Sequence, residues 1–241
     1  MKLLRVVLSF TLFAVAPATF TPAADAYQET PVTDGGTVTG TIVFRGSPPP
    51  MKMIIPTKDH EVCGEIREEP NIVLGEGQTV QDAVVFLKGV QAGKAWEPST
   101  KTPELNNLKC DFVPHVQIVP VESNIEIINS DAVLHATHGF FGKRTVFSVT
   151  LPNKGDRVVR PLKKAGIVRV ECDAHGWMLG WIYVADSPYA AVTAKDGRFT
   201  ITDVPPGAYT LVAWHEYTGM TEVPVVVKVK ESVSVQIELN K

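Results

Sequence analysis

The stretch Val170-Glu-Cys-Asp-Ala-His-Gly-Trp-Met-Leu-Gly-Trp-Ile-Tyr-Val184 sets Cys172, His175 and Met178 three residues apart, in the pattern Cys-x-x-His-x-x-Met. A thiolate, an imidazole and a thioether on one short loop form most of a copper site. Soft sulfur and imidazole ligands suit copper, and a trigonal His₂Cys set with a weak axial Met is an electron-transfer arrangement. Such a set is a compromise between the geometries that Cu(I) and Cu(II) prefer, so little rearrangement accompanies a one-electron change. The loop lacks a second imidazole, which a distant segment must supply. His135, in Asn129-Ser-Asp-Ala-Val-Leu-His135-Ala-Thr-His138, offers one. His138 is a rival. Residues three apart on a strand point to opposite faces, so both would serve one metal only if the backbone curled.

Together these motifs resemble the ligand segments of small type 1 copper proteins, the cupredoxins of the plastocyanin and amicyanin kind. The loop resembles their short-loop form, and Asn129-x-Asp131-x-x-x-His135 is similar to the segment that supplies their first His. The resemblance covers about Cys110 to Val184. It implies His135, Cys172, His175 and Met178 as ligands of one copper ion, with the His175 edge near the surface as the electron's exit. It also implies a Greek-key β-sandwich. Many relatives carry Asn directly after the first His, where it ties the two ligand loops together. This chain has Ala136, which leaves the hydrogen bonding behind the ligands open.

The elements that must position these residues read as strands. Thr37–Arg45, Asn71–Leu74, Asp82–Leu87, Phe112–Val121, Asn124–Asn129, Arg144–Leu151, Arg157–Pro161 and Gly166–Val170 are short, β-rich and separated by turn residues. No segment has a sustained helical period. Residues 92–107, with two prolines and no period, read as a surface loop. The expected class is all-β, an antiparallel cupredoxin-like sandwich with a second, smaller sandwich.

That second unit is expected over residues 186–241. The run Asp196-Gly-Arg-Phe-Thr-Ile-Thr-Asp-Val-Pro-Pro-Gly-Ala-Tyr-Thr-Leu-Val-Ala-Trp-His-Glu216 resembles carboxypeptidase regulatory-like (transthyretin-like) β modules. Gly36–Phe44 and Asp82–Gly89 fit the first half of that pattern, so the copper unit would be inserted into the other. The resemblance implies a scaffold. The organisation expected is a leader over 1–26, a linker over 27–36, a β-rich segment over 37–109, the copper unit over 110–185 and the module over 186–241.

Lys2 and Arg5 precede an apolar run over Val6–Ala18, and Ala24-Asp25-Ala26 fits a cleavage site. This is the pattern of a secretory signal cut after Ala26. It implies a periplasmic protein with no membrane-spanning segment after cleavage. The net charge of −3 gives no reason to expect a nucleic-acid partner. There are three cysteines. An oxidising compartment favours disulfides. If Cys172 binds metal, Cys63 and Cys110 are the remaining pair. Another pairing with one free thiol stays open, because sequence does not fix connectivity.

Other residues have blander readings. Cys172 alone would be a buried core cysteine, and Met178 could be core filler. Trp177 and Trp181 read as core or cover. Cys110-x-x-x-x-His115 reads as a bridged cysteine beside a strand histidine, not a second metal site. His60 and His215 read as surface or strand residues without metal. Asn129 and Asp131 read as shaping a turn. The His-Cys-His run of multicopper oxidases and other catalytic signatures are absent from the sequence, so a carrier is expected, not an enzyme. The expected partner is another exported redox protein, such as a c-type cytochrome or a dehydrogenase. Redox-inactive copper delivery or storage, or a structural zinc site, is the alternative.

Overall fold

The computed structural model describes residues 26–97 and 102–241. The expected leader, up to residue 25, lies outside them. Among the described residues, helix is limited to one turn at His60–Cys63 and a 3₁₀ turn at Glu76–Gln78. No described helix is long and apolar enough to cross a membrane. The fold is all-β and its main sheets pack into two sandwiches.

The sandwich that carries the Cys172 loop has a five-stranded sheet. Its order is Arg144–Leu151, His135–Phe141, Gly166–Cys172, Leu179–Ala185 and Val116–Pro120. The facing sheet runs Arg157–Leu162, Ser123–Asn129, Glu104–Leu108 and Asp111–Val113. Two-residue alternation sorts the side chains. Val168, Val170, Cys172, Ile182 and Val184 point between the sheets and join Leu105, Ile125, Ile127 and Leu162 in one core. Trp181 and Tyr183 point the other way.

The second sandwich comes from segments on both sides of the first. One sheet is Ala190–Val192, Val84–Lys88, Gly207–His215 and Gly219–Val227; the other is Arg198–Val204, Gly36–Phe44 and Ser232–Leu239. Ile42, Leu87, Tyr189, Leu211 and Ile237 are buried in its core. A smaller apolar seam of Val84, Val116, Tyr183, Ala185 and Trp214 joins the sandwiches. Phe86 stacks on Tyr183 at 4.5 Å, and Trp181 meets Trp214 edge-on at 5.0 Å, geometries that aromatic pairs favour. Glu216 accepts hydrogen bonds from His115 and Trp181 across the same seam. Burial is the largest influence on Glu216 and opposes its charge, but the His115 hydrogen bond and charge, the Trp181 hydrogen bond and the nearby His215 together hold the carboxyl below its ordinary range.

Several expectations are corrected. Residues 92–107 are not a loop throughout. Ala92–Gly93 pairs in parallel with Gln28–Glu29, inside the expected linker, and Glu104–Leu108 is a strand parallel to Ser123–Asn129. The second strand buries Leu105 and Asn107 while exposing Glu104 and Leu108. A polar residue at an inward position, Asn107, and an apolar one at an outward position, Leu108, hid its alternation. Asn71–Leu74 is not a strand and contributes one isolated bridge, from Leu74 to Val80. The single strand expected over Phe112–Val121 is two, placed in opposite sheets. The break falls at Pro114, which has no N–H for a ladder.

Leu105 tests the missed strand. Leu105→Ala is expected to destabilise the protein by about 2–5 kcal/mol, the cost of emptying a packed core position. Urea unfolding should show a lower midpoint at unchanged slope. A loop residue there would cost almost nothing.

Candidate metal centre

The loop spacing has a local cause. The His175 N–H donates to the Cys172 carbonyl at 3.1 Å, and the Met178 N–H donates to the His175 carbonyl at 3.0 Å. The backbone thus winds through two consecutive tight turns, and residues three apart come round to the same side. Cys172 ends one strand and Leu179 begins the next, so the sheet fixes both ends of the loop.

His135 begins the strand His135–Phe141, which pairs antiparallel with Gly166–Cys172. Its ring points between the sheets. His135 and His175 are 0% exposed, and Cys172 and Met178 are 2% exposed. The His135 Nδ1 lies 3.7 Å from the Cys172 Sγ, the His175 Nδ1 lies 3.6 Å from it, and the two nitrogens are 3.2 Å apart. The point equidistant from the three atoms is about 2.0 Å from each, near the bond lengths of about 2.0–2.3 Å for imidazole and thiolate on a first-row metal. The donor set therefore fits one such ion. Met178 packs into the same core.

Both imidazoles are held from behind. The His135 Nε2 is 2.9 Å from the Asp131 Oδ2, and the His175 Nε2 is 2.9 Å from the Asp59 Oδ2. A carboxylate only accepts, so each Nε2 carries the proton and donates, and each Nδ1 turns a lone pair toward Cys172. A carboxylate behind a ligating imidazole fixes the ring and raises its basicity.

Asp131 does more than shape a turn. Its oxygens also accept from the backbone N–H groups of Lys109 at 2.7 Å and Cys110 at 2.9 Å. Asn129 accepts from the Asp131 N–H and donates to the carbonyls of Val133 and Leu151. The motif Asn-x-Asp-x-x-x-His is thus one hydrogen-bonded unit that ends in the aimed His135 ring.

Ala136 removes the side chain that ties the loops in the resembled proteins, but the backbone supplies the tie. The Ala136 N–H donates to the Cys172 Sγ at 3.4 Å, and the Asp173 N–H donates to the Ala136 carbonyl at 2.9 Å. His138 faces away from Cys172, between Asp173 and Thr145. Cys63 and Cys110 form a disulfide, and Cys172 is a free, buried thiol. His115 pairs with Glu216.

One expectation about the site is overturned. The His175 edge is not at the surface. Asp59, 116 positions upstream, sits on it, and the Trp177 ring lies 5.1 Å from the imidazole. Nothing in the sequence marked Asp59, because its role depends entirely on where the chain returns.

No curated protein sequence matches the chain. A family model described as polysaccharide lyase family 4, domain II, matches residues 168–237. Among solved structures, the chain is similar to a copper-containing nitrite reductase from Thermus scotoductus SA-01. That match has 25% identity and a TM-score of 0.33, and covers 38% of this chain and 24% of the other, about a quarter of that enzyme's length. It is also similar to a reduced amicyanin variant, at 20% identity and a TM-score of 0.33, covering 37% of this chain and 87% of that one. A purple cupredoxin from Nitrosopumilus maritimus matches at 21% identity and a TM-score of 0.31, covering 34% and 99%.

The ionisation of the donors yields a measurable outcome. Burial raises the Cys172 thiol above its ordinary range, so it is protonated at neutral pH. Burial likewise lowers His135, with Asp131 opposing, so that ring is neutral there. A metal taking this site must displace the thiol proton and need not compete for one on His135. Uptake at pH 7 is expected to release about one proton, measured by calorimetry in buffers of different ionisation enthalpy. Affinity should rise about tenfold per pH unit while the thiol stays protonated.

Proposed function

We propose that this chain is an exported copper protein that passes single electrons between other exported redox proteins. The observation that carries the reading is the convergence of His135 Nδ1, His175 Nδ1 and Cys172 Sγ around one point, with both outer nitrogens braced by carboxylates. A bound copper would supply one-electron chemistry between Cu(I) and Cu(II), and two imidazoles with one thiolate suit both states. His135, His175 and Cys172 would hold the ion, and the Met178 thioether, buried in the same core, would serve as a further, weaker donor. The sheet, the two loop turns and the carboxylates keep the donors from rearranging. The buried apolar surroundings exclude water.

Export is supported by the leader pattern over residues 1–26 and by the Cys63–Cys110 bridge, since disulfides persist in oxidising compartments. The mature protein would be periplasmic. A c-type cytochrome or a dehydrogenase is the class of partner the reading calls for. The second sandwich serves as a scaffold of the carboxypeptidase regulatory-like kind, and the protein is a carrier, not a catalyst.

A second reading is favoured by one feature. Neither imidazole has any exposed edge, which suits a closed site that stores copper or holds zinc structurally.

One titration separates the readings. Cu(II) added to the mature chain should give an intense visible band from thiolate-to-copper charge transfer, and reversible one-electron voltammetry. Cys172→Ser should abolish the band while far-ultraviolet circular dichroism stays unchanged. Met178→Leu should keep the band and raise the potential. A colourless protein that retains zinc supports the structural reading, and a chain that takes up no metal refutes both.

A further inference from the structure

We propose that Asp59 is a positioning residue of the metal centre, carried in from outside the sandwich and held over His175 by the Cys63–Cys110 disulfide. This rests on the copper reading and extends it to a residue beyond the four donors.

The geometry is specific. The Asp59 side chain is 36% exposed, while the His175 it meets is wholly buried, so the contact lies at the boundary between solvent and core. A charged acceptor at that boundary strengthens the hydrogen bond relative to a neutral one. Asp59 has a left-handed backbone, φ 56° and ψ 35°, a conformation Asp tolerates better than most residues. Its carbonyl accepts from the N–H groups of Val62 and Cys63, at 3.0 and 2.9 Å, and so closes the single turn His60–Cys63. A four-residue helix cannot hold a side chain in place unaided, since short helices lack stability without tertiary anchors.

The anchor is the disulfide. Cys63, at the end of that turn, is bonded to Cys110. The N–H of Cys110 in turn donates to Asp131, the carboxylate behind His135. One covalent link therefore ties together the two carboxylates that aim the two imidazoles. Arg67 reinforces it, bonding the Cys63 carbonyl at 3.5 Å and Asp111 at 2.7 Å. The two bridged sulfurs and a ring nitrogen of His175 lie within 4.8 Å of one another, so the brace packs directly on the ligand.

Three consequences follow for His175. Its proton is held at Nε2, leaving Nδ1 for the metal. Its donor strength is raised, which favours the higher-charged ion. Its outer edge is closed to water and to a docking partner.

The test uses the full mature chain and three variants: Asp59→Asn, Asp59→Ala and Cys63→Ser combined with Cys110→Ser. Asn is nearly isosteric and keeps an acceptor but removes the charge. In the metal-free proteins, ring nitrogen-15 shifts should show His175 protonated at Nε2 in wild type and Asp59→Asn, and a tautomer mixture in Asp59→Ala. In the copper-loaded proteins, Asp59→Asn should weaken Cu(II) relative to Cu(I) about tenfold, a rise of about 59 mV for a one-electron couple. Asp59→Ala should lose about 10–100-fold in Cu(II) affinity and react faster with small outer-sphere oxidants. The double serine variant should move the same way as Asp59→Ala. Wild-type His175 protonated at Nδ1, or potentials and affinities equal across the set, would overturn the proposal. A wild type that binds no copper would refute the copper reading, while the tautomer measurement would still decide the role of Asp59.

Discussion

Asp131 and Asp59 each accept a hydrogen bond from the far side of a buried imidazole, and the opposite nitrogens of the two rings meet beside one thiol. Removing polar groups from water is costly unless they are paired. Here four ionisable side chains enter the core, and each is paired, three of them around a point a metal would fill. The surrounding sandwich is built so that this arrangement has no slack. Strand pairing sets His135 opposite Leu151 on one side and puts Thr137 opposite Cys172 on the other. Buried Asn107 then satisfies Thr137 and the Ile128 carbonyl.

The chain spends different kinds of order on the two imidazoles. His135 takes its brace from nearby in sequence: Asn129, Asp131 and His135 lie within seven residues in one hydrogen-bonded turn, which the Lys109 and Cys110 N–H groups secure from outside. His175 is fixed remotely, by a carboxylate that arrives only after a long excursion and a covalent crosslink. The crosslink closes a loop with a sequence separation of 47. The chain-entropy account gives a stabilisation of about 4 kcal/mol for a loop of that size, comparable to a large part of a typical domain's net stability.

Much of this was legible in the sequence because local physics produced it. Cys172, His175 and Met178 stood out through spacing; the structure brings Cys172 and His175 together with His135 and buries Met178 in the same core. Asn129, Asp131 and His135 also formed a readable unit, although Asp131 looked like a turn former and is also the brace behind the ring. The β class followed from alternation and turn residues. What could not be read has a common cause. Glu104–Leu108 becomes a strand because a parallel neighbour and a core accept it, with Leu105 and Asn107 inward, and its own residues carry little β preference. Asp59 matters only because a remote disulfide brings it back. The buried His175 edge follows from Asp59, so an expectation drawn from the loop alone had no way to include the lid.

The seam between the sandwiches has a further meaning. Val84–Lys88 pairs with Ala190–Val192, Val85 opposite Ala191, so the chain leaves one sandwich, builds the other, and returns to the strand beside its point of departure. Entry and exit share a doorway. Chain closure costs only about 0.6 kcal/mol more for each doubling of loop length. The host sheet can therefore tolerate a guest of almost any size between those two strands. On this architecture the sandwich that carries the Cys172 loop lies between those two strands in the sequence, while Asp59 and Cys63 reach it from ahead of them.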